Sequence, residues 1–221
     1  MKYFLTYAAP KFSSLFVLYC RVSSASTWEQ RKLGDIAKVT KLAGFEFTKY
    51  VRYSEKGTKI ALRGLNVRNG KLILHDIKYI DNSDLPKLKR SRLNTGDIVY
   101  SYVGTVGESA VIPENDRFYL APNVALIRVE QDCNSQFIQQ LLSNSVFKSS
   151  IVFPLISSSS QPALSMDSIR KFRLRLPISS EQDSIGSVLD KIDNLIAANE
   201  QDQKQTFKIA MNISSLMLMI I

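Results

Sequence analysis

At residues 95–110 the chain runs Thr-Gly-Asp-Ile-Val-Tyr-Ser-Tyr-Val-Gly-Thr-Val-Gly-Glu-Ser-Ala. The segment Asn94-Thr-Gly-Asp is typical of a turn, and the apolar run that follows predicts a strand over 98–103. Gly104 and Gly107 then bracket a short loop, after which a second strand is predicted over 109–112. Two short strands joined by a glycine loop indicate a strand-rich domain.

Residues 46–130, on both sides of this stretch, have the same pattern of short strands and turns. Strands are predicted at 59–63, 77–80 and 124–129, and Asn69-Gly70 favours a hairpin turn because both residue types tolerate positive φ. A basic connector broken by Pro86 is predicted at 84–92. Nearer the start, 28–33 indicates a weak strand, followed by a helix over Ile36–Val39 capped by Asp35.

The pattern changes to a helical period after residue 134. A helix is predicted at 135–150 with Ser135 as its cap, then a serine loop at 157–160 and a short helix near 165–170. Polar and apolar residues alternate over 172–177, which predicts a strand with one basic face. The fold class is therefore α+β: one strand-rich mixed domain over 28–178, a long helical arm over 179–221, and an atypical leader over 1–27.

The arm begins at Ser180, which we expect to cap it. Apolar residues recur near the first and fourth positions of heptads, with one asparagine in the series. A polar residue at such a position can set the register or number of paired helices. The seam is weakened at Asp202 and Thr206, so an ordinary amphipathic helix packed on its own domain is the alternative. The expected assembly residues are Ile185, Val188, Ile192, Leu195 and Asn199.

Charge is concentrated in one part of this chain of 221 residues, whose formal net charge is +9. Residues 31–92 contain sixteen Lys and Arg against six Asp and Glu. Such a basic field attracts polyanions and favours a nucleic-acid partner, although solvated lysines of a soluble protein give a similar excess.

The cysteine content and the lack of a clear targeting signal further narrow the class of protein. Two distant cysteines suggest neither a disulfide framework nor a zinc site, which fits a reducing cytoplasm. Pro10 and Lys11 interrupt the apolar N-terminal stretch, and Leu216–Ile221 is far shorter than the ~20 residues that span a bilayer. We therefore expect a cytoplasmic protein with no membrane partner.

Sequence motifs for catalysis are absent. The chain has no GxxxxGK[ST] loop, no GxGxxG fingerprint, and a single histidine, His75. Neither a metal cluster nor a catalytic triad can be assembled from these residues. The pattern favours a binding protein over a single-chain nuclease or methyltransferase.

Six segments, in order over residues 28–200, together resemble the specificity subunit of type I restriction-modification systems. They are Trp28-Glu-Gln-Arg-Lys-Leu-Gly-Asp-Ile-Ala, Leu62-Arg-Gly-Leu-Asn-Val-Arg-Asn-Gly-Lys, the stretch at 95–110, Leu120-Ala-Pro-Asn-Val-Ala-Leu-Ile-Arg, Ser158-Ser-Ser-Gln-Pro-Ala-Leu-Ser, and Leu176-Pro-Ile with Asp193-Asn-Leu-Ile-Ala-Ala-Asn.

The resemblance implies a non-catalytic subunit that binds double-stranded DNA and recruits methyltransferase (M) subunits and restriction (R) subunits. Those partners would use S-adenosylmethionine, ATP and Mg, and this chain would hold no cofactor. Members of the family carry two recognition domains separated by helices, whereas this chain has one. It is therefore interpreted as a half-subunit that pairs with itself or another half-subunit; paired copies predict a palindromic split site. The alternatives are a truncated or silent recognition cassette and a basic RNA-binding or regulatory protein.

Candidate DNA-binding residues follow from the chemistry of groove and phosphate contacts. Cations in predicted loops would bind phosphates, the glycine loop would approach the duplex closely, and the serine loop would supply hydrogen bonds. A structural role is an equal alternative for the shared motif residues Arg63, Gly104, Gly107 and Gln161. The candidates are Lys49, Arg52, Arg63, Asn66, Arg68, Lys87, Lys89, Arg90, Arg92, Tyr102, Thr105, Ser159 and Gln161.

Overall fold

The computed structural model describes residues 28–156 and 161–218, and the side chains within them except those of residues 197 and 206–218. The leader, the serine loop with Ser159, and the last three residues lie outside the described residues. The strands are β1 Glu29–Lys32, β2 Ala37–Lys41, β3 Ile60–Leu62, β4 Val67–Arg68, β5 Lys71–Leu72, β6 Lys78–Tyr79, β7 Ile98–Ser101, β8 Ser109–Val111, β9 Phe118–Leu120, β10 Val124–Val129 and β11 Arg173–Leu176.

Helices lie between and after these strands. They are α1 Leu33–Ile36, α2 Gly44–Tyr50, α3 Ser135–Ser143, α4 Ser145–Phe147, α5 Met166–Arg170 and α6 Ser179–Leu218, with a π-helical turn at Lys148–Val152 and 3-10 helices at Gly64–Asn66, Leu85–Ser91 and Phe153–Leu155. This mixture of short strands with one long C-terminal helix confirms the α+β class.

The central sheet has the order β2-β10-β7-β8 and is antiparallel throughout. Its middle strands are apolar on both faces. Ile98 and Tyr100 of β7 enter one core, which also contains α1, α3 and β11, whereas Val99 enters a second core on the opposite face. A strand covered on both faces has no polar side to alternate with, so the run at 98–100 is continuously apolar.

The second core is closed by a sheet of order β6-β3-β9. β3 and β9 are parallel, with Ile60 opposite Phe118, although the two strands are far apart in the chain. β4 and β5 form the predicted hairpin, and Asn69 and Gly70 in its turn have φ of 51° and 79°.

β1 and β11 form a separate antiparallel ribbon that joins the two ends of the domain. Glu29 lies opposite Leu176, and Lys32 lies opposite Arg173. β11 has alternating burial, with Leu174 and Leu176 facing the core and both arginines exposed. This confirms the predicted strand with one basic face, and places the start of the domain beside the root of α6.

The first turns of α6 pack against α3. Asn134 accepts a hydrogen bond from Phe137 N at 2.9 Å and donates one to Asp183 at 2.7 Å, while Gln136 and Gln140 donate to Asp190 and Asp193. A Cβ at Gly186 would lie 2.9 Å from the Asn134 Oδ1 atom. Glycine therefore permits this close approach of the two helices.

Five sequence predictions of local structure are wrong. Ser180 does not cap the arm, because α6 already begins at Ser179. The helix predicted at 36–39 is one turn, Leu33–Ile36, followed by β2, because alternating Ala37 and Val39 are buried against the sheet. Asn134, not Ser135, caps α3. The helix predicted to reach residue 150 is interrupted at Asn144, whose side chain caps the next turn. The connector at 84–92 is mostly a 3-10 helix, because Pro86 sits in its first turn, where a missing N–H costs nothing.

Candidate functional site

A cleft of about 360 Å³ opens at the loop end of the domain. Three residues predicted as candidate site residues line it together, Arg63, Thr105 and Gln161, although they come from distant parts of the chain. The complete lining is Tyr53, Arg63, Gly64, Leu65, Val103, Gly104, Thr105, Pro122, Asn123 and Gln161.

The glycine loop after β7 forms one wall of this cleft. Gly104 and Gly107 have φ of 79° and 93°, a region that side chains with a Cβ avoid, so the loop needs glycine at both positions. Gly104 N donates to Pro162 O at 2.9 Å, which ties the loop to the segment carrying Gln161. A Cβ at Gly104 would meet no atom within 4 Å, so the backbone faces open space. Thr105 is exposed there.

Arg63 is held at the opposite wall. Its Nη2 atom donates to the carbonyl and carboxylate oxygens of Asp76, with 3.2 Å to the carboxylate. The buried Nε atom has no protein hydrogen-bond partner among the described residues. The guanidinium is therefore fixed in orientation while its donor capacity is not fully used.

Asn66 lies in the core beneath Arg63 and not on the surface. Its Oδ1 atom accepts from Arg63 N at 3.1 Å, and its Nδ2 atom donates to Ile73 O at 3.0 Å. The side chain is completely buried. In this structure Asn66 positions the backbone of Arg63, and a base contact would require the loop to open.

Tyr53, Leu65 and Asn123 belong to the cleft but were not among the residues selected from sequence. Tyr53 and Leu65 are exposed aromatic and aliphatic side chains, and burial raises the pKa of the Tyr53 phenol while the nearby Arg63 charge partly opposes this. Asn123 is exposed with φ of 74° in the turn before β10. The Pro122-Asn123 pair within the fourth motif was the available signal, since such pairs mark exposed turns.

A second group of candidates forms what we call the basic ridge: Lys49, Arg52, Lys87, Lys89 and Arg90. Asp84 N donates to Tyr50 O at 3.1 Å, and Arg52 N donates to Ser83 Oγ at 2.8 Å, so the end of α2 and the 3-10 helix at Leu85–Ser91 lie side by side. All five side chains are exposed. Arg52 precedes Tyr53, so the ridge runs directly into the cleft.

The remaining candidates lie elsewhere. Arg92 is ion-paired with Asp116 at 3.2 Å, and exposed Arg68 lies on β4 close enough to Glu108 to lower the pKa of that carboxyl. Tyr102 is half-buried beneath the Lys41 ammonium, 5.5 Å from the ring centroid, and burial raises its pKa. The structure thus divides the candidates between cleft, ridge and separate positions.

The assembly residues on α6 fall on two sides. Ile185 packs against the core containing α3. Val188 and Leu195 are 54% and 70% exposed, and Asn199 is exposed. Ile192 is half-buried. One side of the first turns of α6 is therefore docked on the domain, while Val188 in those turns and Leu195 further along the helix are apolar and exposed.

The side chains that line the cleft are suited to hydrogen bonding with a ligand. The cleft combines a guanidinium, two amides and two hydroxyls with apolar walls. Within the described ranges, no cluster of three His, Cys, Asp or Glu residues could hold a metal ion. In the same part of the chain, every helix is too short or too polar to cross a membrane.

Residues 25–206 match the family described as the type I restriction modification DNA specificity domain. The chain belongs to this family. The match spans the strand-rich domain and the first part of α6. The resemblance inferred from the six motifs is therefore confirmed at the level of the family.

Solved structures share the fold of this family member. A chain from a type I R-M system studied for complex assembly and conformational transition has a TM-score of 0.60 at 15% identity, covering 89% of this chain and 48% of that one. The HsdS subunit from Thermoanaerobacter tengcongensis gives 0.57 at 15% identity, with 85% and 45% covered. The S subunit from M. genitalium gives 0.53 at 13% identity, with 76% and 39% covered. This chain spans less than half the length of each.

Proposed function

We propose that this chain is a sequence-specific DNA-binding specificity subunit that directs a type I restriction-modification complex to half of a bipartite site. The observation that carries the proposal is the continuity of the basic ridge with a polar cleft, in a domain of the DNA specificity family. The chain itself is non-catalytic and acts by positioning its partners.

The ridge supplies affinity and the cleft supplies specificity. Exposed lysines and arginines bind phosphates without regard to sequence. In the cleft, Arg63 has the donors that match a guanine edge, and Asn123 and Gln161 have the donor and acceptor pair that matches adenine. Leu65 and Pro122 form an apolar wall of the kind that contacts a thymine methyl group.

The arm provides the surface through which the subunits would assemble. α6 exposes the apolar Val188 and Leu195 together with the polar Asn199, and such a face on a long helix is suited to pairing with another helix. A bipartite site needs two recognition domains, and pairing of such arms would bring this domain beside a second one in a complex with M subunits and R subunits in the cytoplasm. Those partners supply S-adenosylmethionine, ATP and Mg.

Co-expression with a cognate M subunit, followed by sequencing of methylated genomic DNA, tests this proposal. We expect co-purification of the two subunits and methylation at one bipartite palindrome. A soluble chain that neither co-purifies with the M subunit nor directs methylation would identify a silent cassette. Cleavage or methylation of DNA by the isolated chain would contradict the non-catalytic role.

The cleft is tested by Asn123→Gly, which removes the amide but keeps a residue that accepts positive φ. We expect selection at one base pair of the methylated site to relax, corresponding to about 1–3 kcal/mol of lost discrimination. Asn82→Gly, at an exposed turn position outside the cleft, is the matched control and should keep the site unchanged. Equal behaviour of the two variants would remove Asn123 from the recognition surface.

A further inference from the structure

The outer face of the β1–β11 ribbon is a basic surface that the cleft and ridge do not include. Gln30, Lys32, Arg173 and Arg175 are all exposed. Gln30 lies opposite Arg175, and Lys32 lies opposite Arg173, so the four side chains share one face of the ribbon. The other face carries Leu174 and Leu176, which are buried in the core.

The register of this ribbon places like charges against each other. Lys32 and Arg173 are direct cross-strand partners, an arrangement that destabilises a sheet. Among the described residues, no carboxylate forms an ion pair with Lys32, Arg173 or Arg175. The neighbouring acidic residue Asp132 pairs with Arg31, which belongs to the opposite face. An external anion would relieve this repulsion.

We infer that this face binds the phosphate backbone of double-stranded DNA beside the recognised half-site, which rests on the proposed function. Residues two apart on a strand lie about 7 Å from one another along it, so Arg173 and Arg175 form a rigid row of cations. Guanidinium groups match phosphate oxygens in two-point contacts. A row of this kind suits a regularly charged polymer.

The position of the ribbon selects which part of the duplex it meets. β11 ends at Leu176 and α6 begins at Ser179, so the basic face lies at the root of the arm. If two arms pair as proposed, a duplex that joins the two half-sites would pass beside this root. Residues 179–205 carry six Asp and Glu against two Lys, so this part of the arm repels a duplex, whereas the ribbon beside it is cationic.

Arg173→Glu in the full chain separates binding from folding. It places a carboxylate opposite Lys32, so we expect a higher Tm because a repulsive pair becomes an attractive one. Affinity for a random-sequence duplex should fall several-fold, and the dependence of log K on log salt should become less steep by about 0.9 for each phosphate that is no longer bound. The methylated site sequence should stay the same.

Arg117→Glu is the matched control, since Arg117 is an exposed cation outside the ribbon, ridge and cleft, and the charge change is identical. Duplex affinity of Arg173→Glu equal to that of Arg117→Glu would overturn the inference while leaving the proposed function intact. Loss of M-subunit co-purification with unchanged duplex affinity would also overturn it, because the face would then bind protein. Failure of the unaltered chain to bind any duplex would instead contradict the proposed function.

Discussion

Asp97, Asn66 and Glu108 lie inside the recognition domain with hydrogen bonds to other parts of the chain, whereas the Lys87, Lys89 and Arg90 side chains of the basic ridge extend into solvent. Among the described residues, no ion pair joins these three cations to a carboxylate. Polar residues of this fold therefore divide into two groups. Those with internal hydrogen bonds support the structure, and cations without an ion pair are available to bind a polyanion.

The largest effect is expected for Asp97→Ala. The buried Asp97 carboxylate accepts two hydrogen bonds from Arg128, at 2.7 and 2.6 Å, and a third from Asn94 N at 2.7 Å. Its loss leaves a buried N–H and an arginine without partners, so the free energy of unfolding should fall by about 3 kcal/mol in urea denaturation.

Asp167→Ala is the control for this prediction. Asp167 also pairs with an arginine at 2.8 Å, but its side chain is 77% exposed. Exposed pairs contribute at most about 1 kcal/mol, so this variant should unfold nearly as the unaltered chain does. Similar losses of stability in both variants would show that burial does not separate the two classes.

An intermediate effect is expected for the triple variant Lys87→Gln, Lys89→Gln and Arg90→Gln. Duplex affinity at low salt should fall at least about tenfold, and the salt dependence should flatten by about 0.9 for each phosphate released. Tm should be unchanged because these side chains are exposed. The charge-matched triple Lys56→Gln, Lys191→Gln and Lys204→Gln tests location, and equal reductions of affinity in both would mean that net charge alone sets affinity.

The smallest effect concerns pH and Glu108. Partial burial would raise the pKa of this carboxyl, but hydrogen bonds from Lys148 and Asn69 N, with the charges of Lys148 and Arg68, lower it below the ordinary value. A lowered folded-state pKa contributes stability above the unfolded-state pKa that is lost as pH falls through the folded value.

Glu108→Gln should therefore reduce the loss of unfolding free energy between about pH 7 and about pH 3, by less than about 1 kcal/mol. Chemical denaturation at each pH measures this. Glu114→Gln removes a more exposed carboxylate, which pairs with Arg117, and should change the pH dependence less. If the free energy of unfolding of Glu108→Gln has the same pH dependence as that of the unaltered chain, the hydrogen bonds and charges around Glu108 do not contribute to that dependence.

Local sequence patterns predict most of the strands and the long helix. The elements that they do not predict depend on tertiary packing. Asn69-Gly70 and the glycine loop have strong turn chemistry, so the hairpin and the strands beside the loop were predictable. The sequence predicts helix where β2 begins, because the two alternating apolar residues Ala37 and Val39 are too few to distinguish a strand from a turn of helix. The pairing of β2 with β10, far along the chain, decides the outcome.

The candidate site divides in the same way between local signals and tertiary packing. Arg63, Thr105 and Gln161 could be selected because motif and residue type marked them. Their convergence in one cleft depends on contacts such as Gly104 N to Pro162 O that no local pattern contains. Asn66 was selected for its side-chain chemistry, but burial is a property of the folded chain, and it places this amide under Arg63.

The pairing of β1 with β11 has an evolutionary consequence. Because Glu29 and Leu176 are neighbours in space, the chain leaves the domain beside the point where it entered, and the ribbon closes the segment between them. Domains whose ends meet can be inserted or exchanged without moving what they are attached to. Under the proposed function, recombination that replaces everything between the two strands of the ribbon would change the DNA site and leave α6 in place.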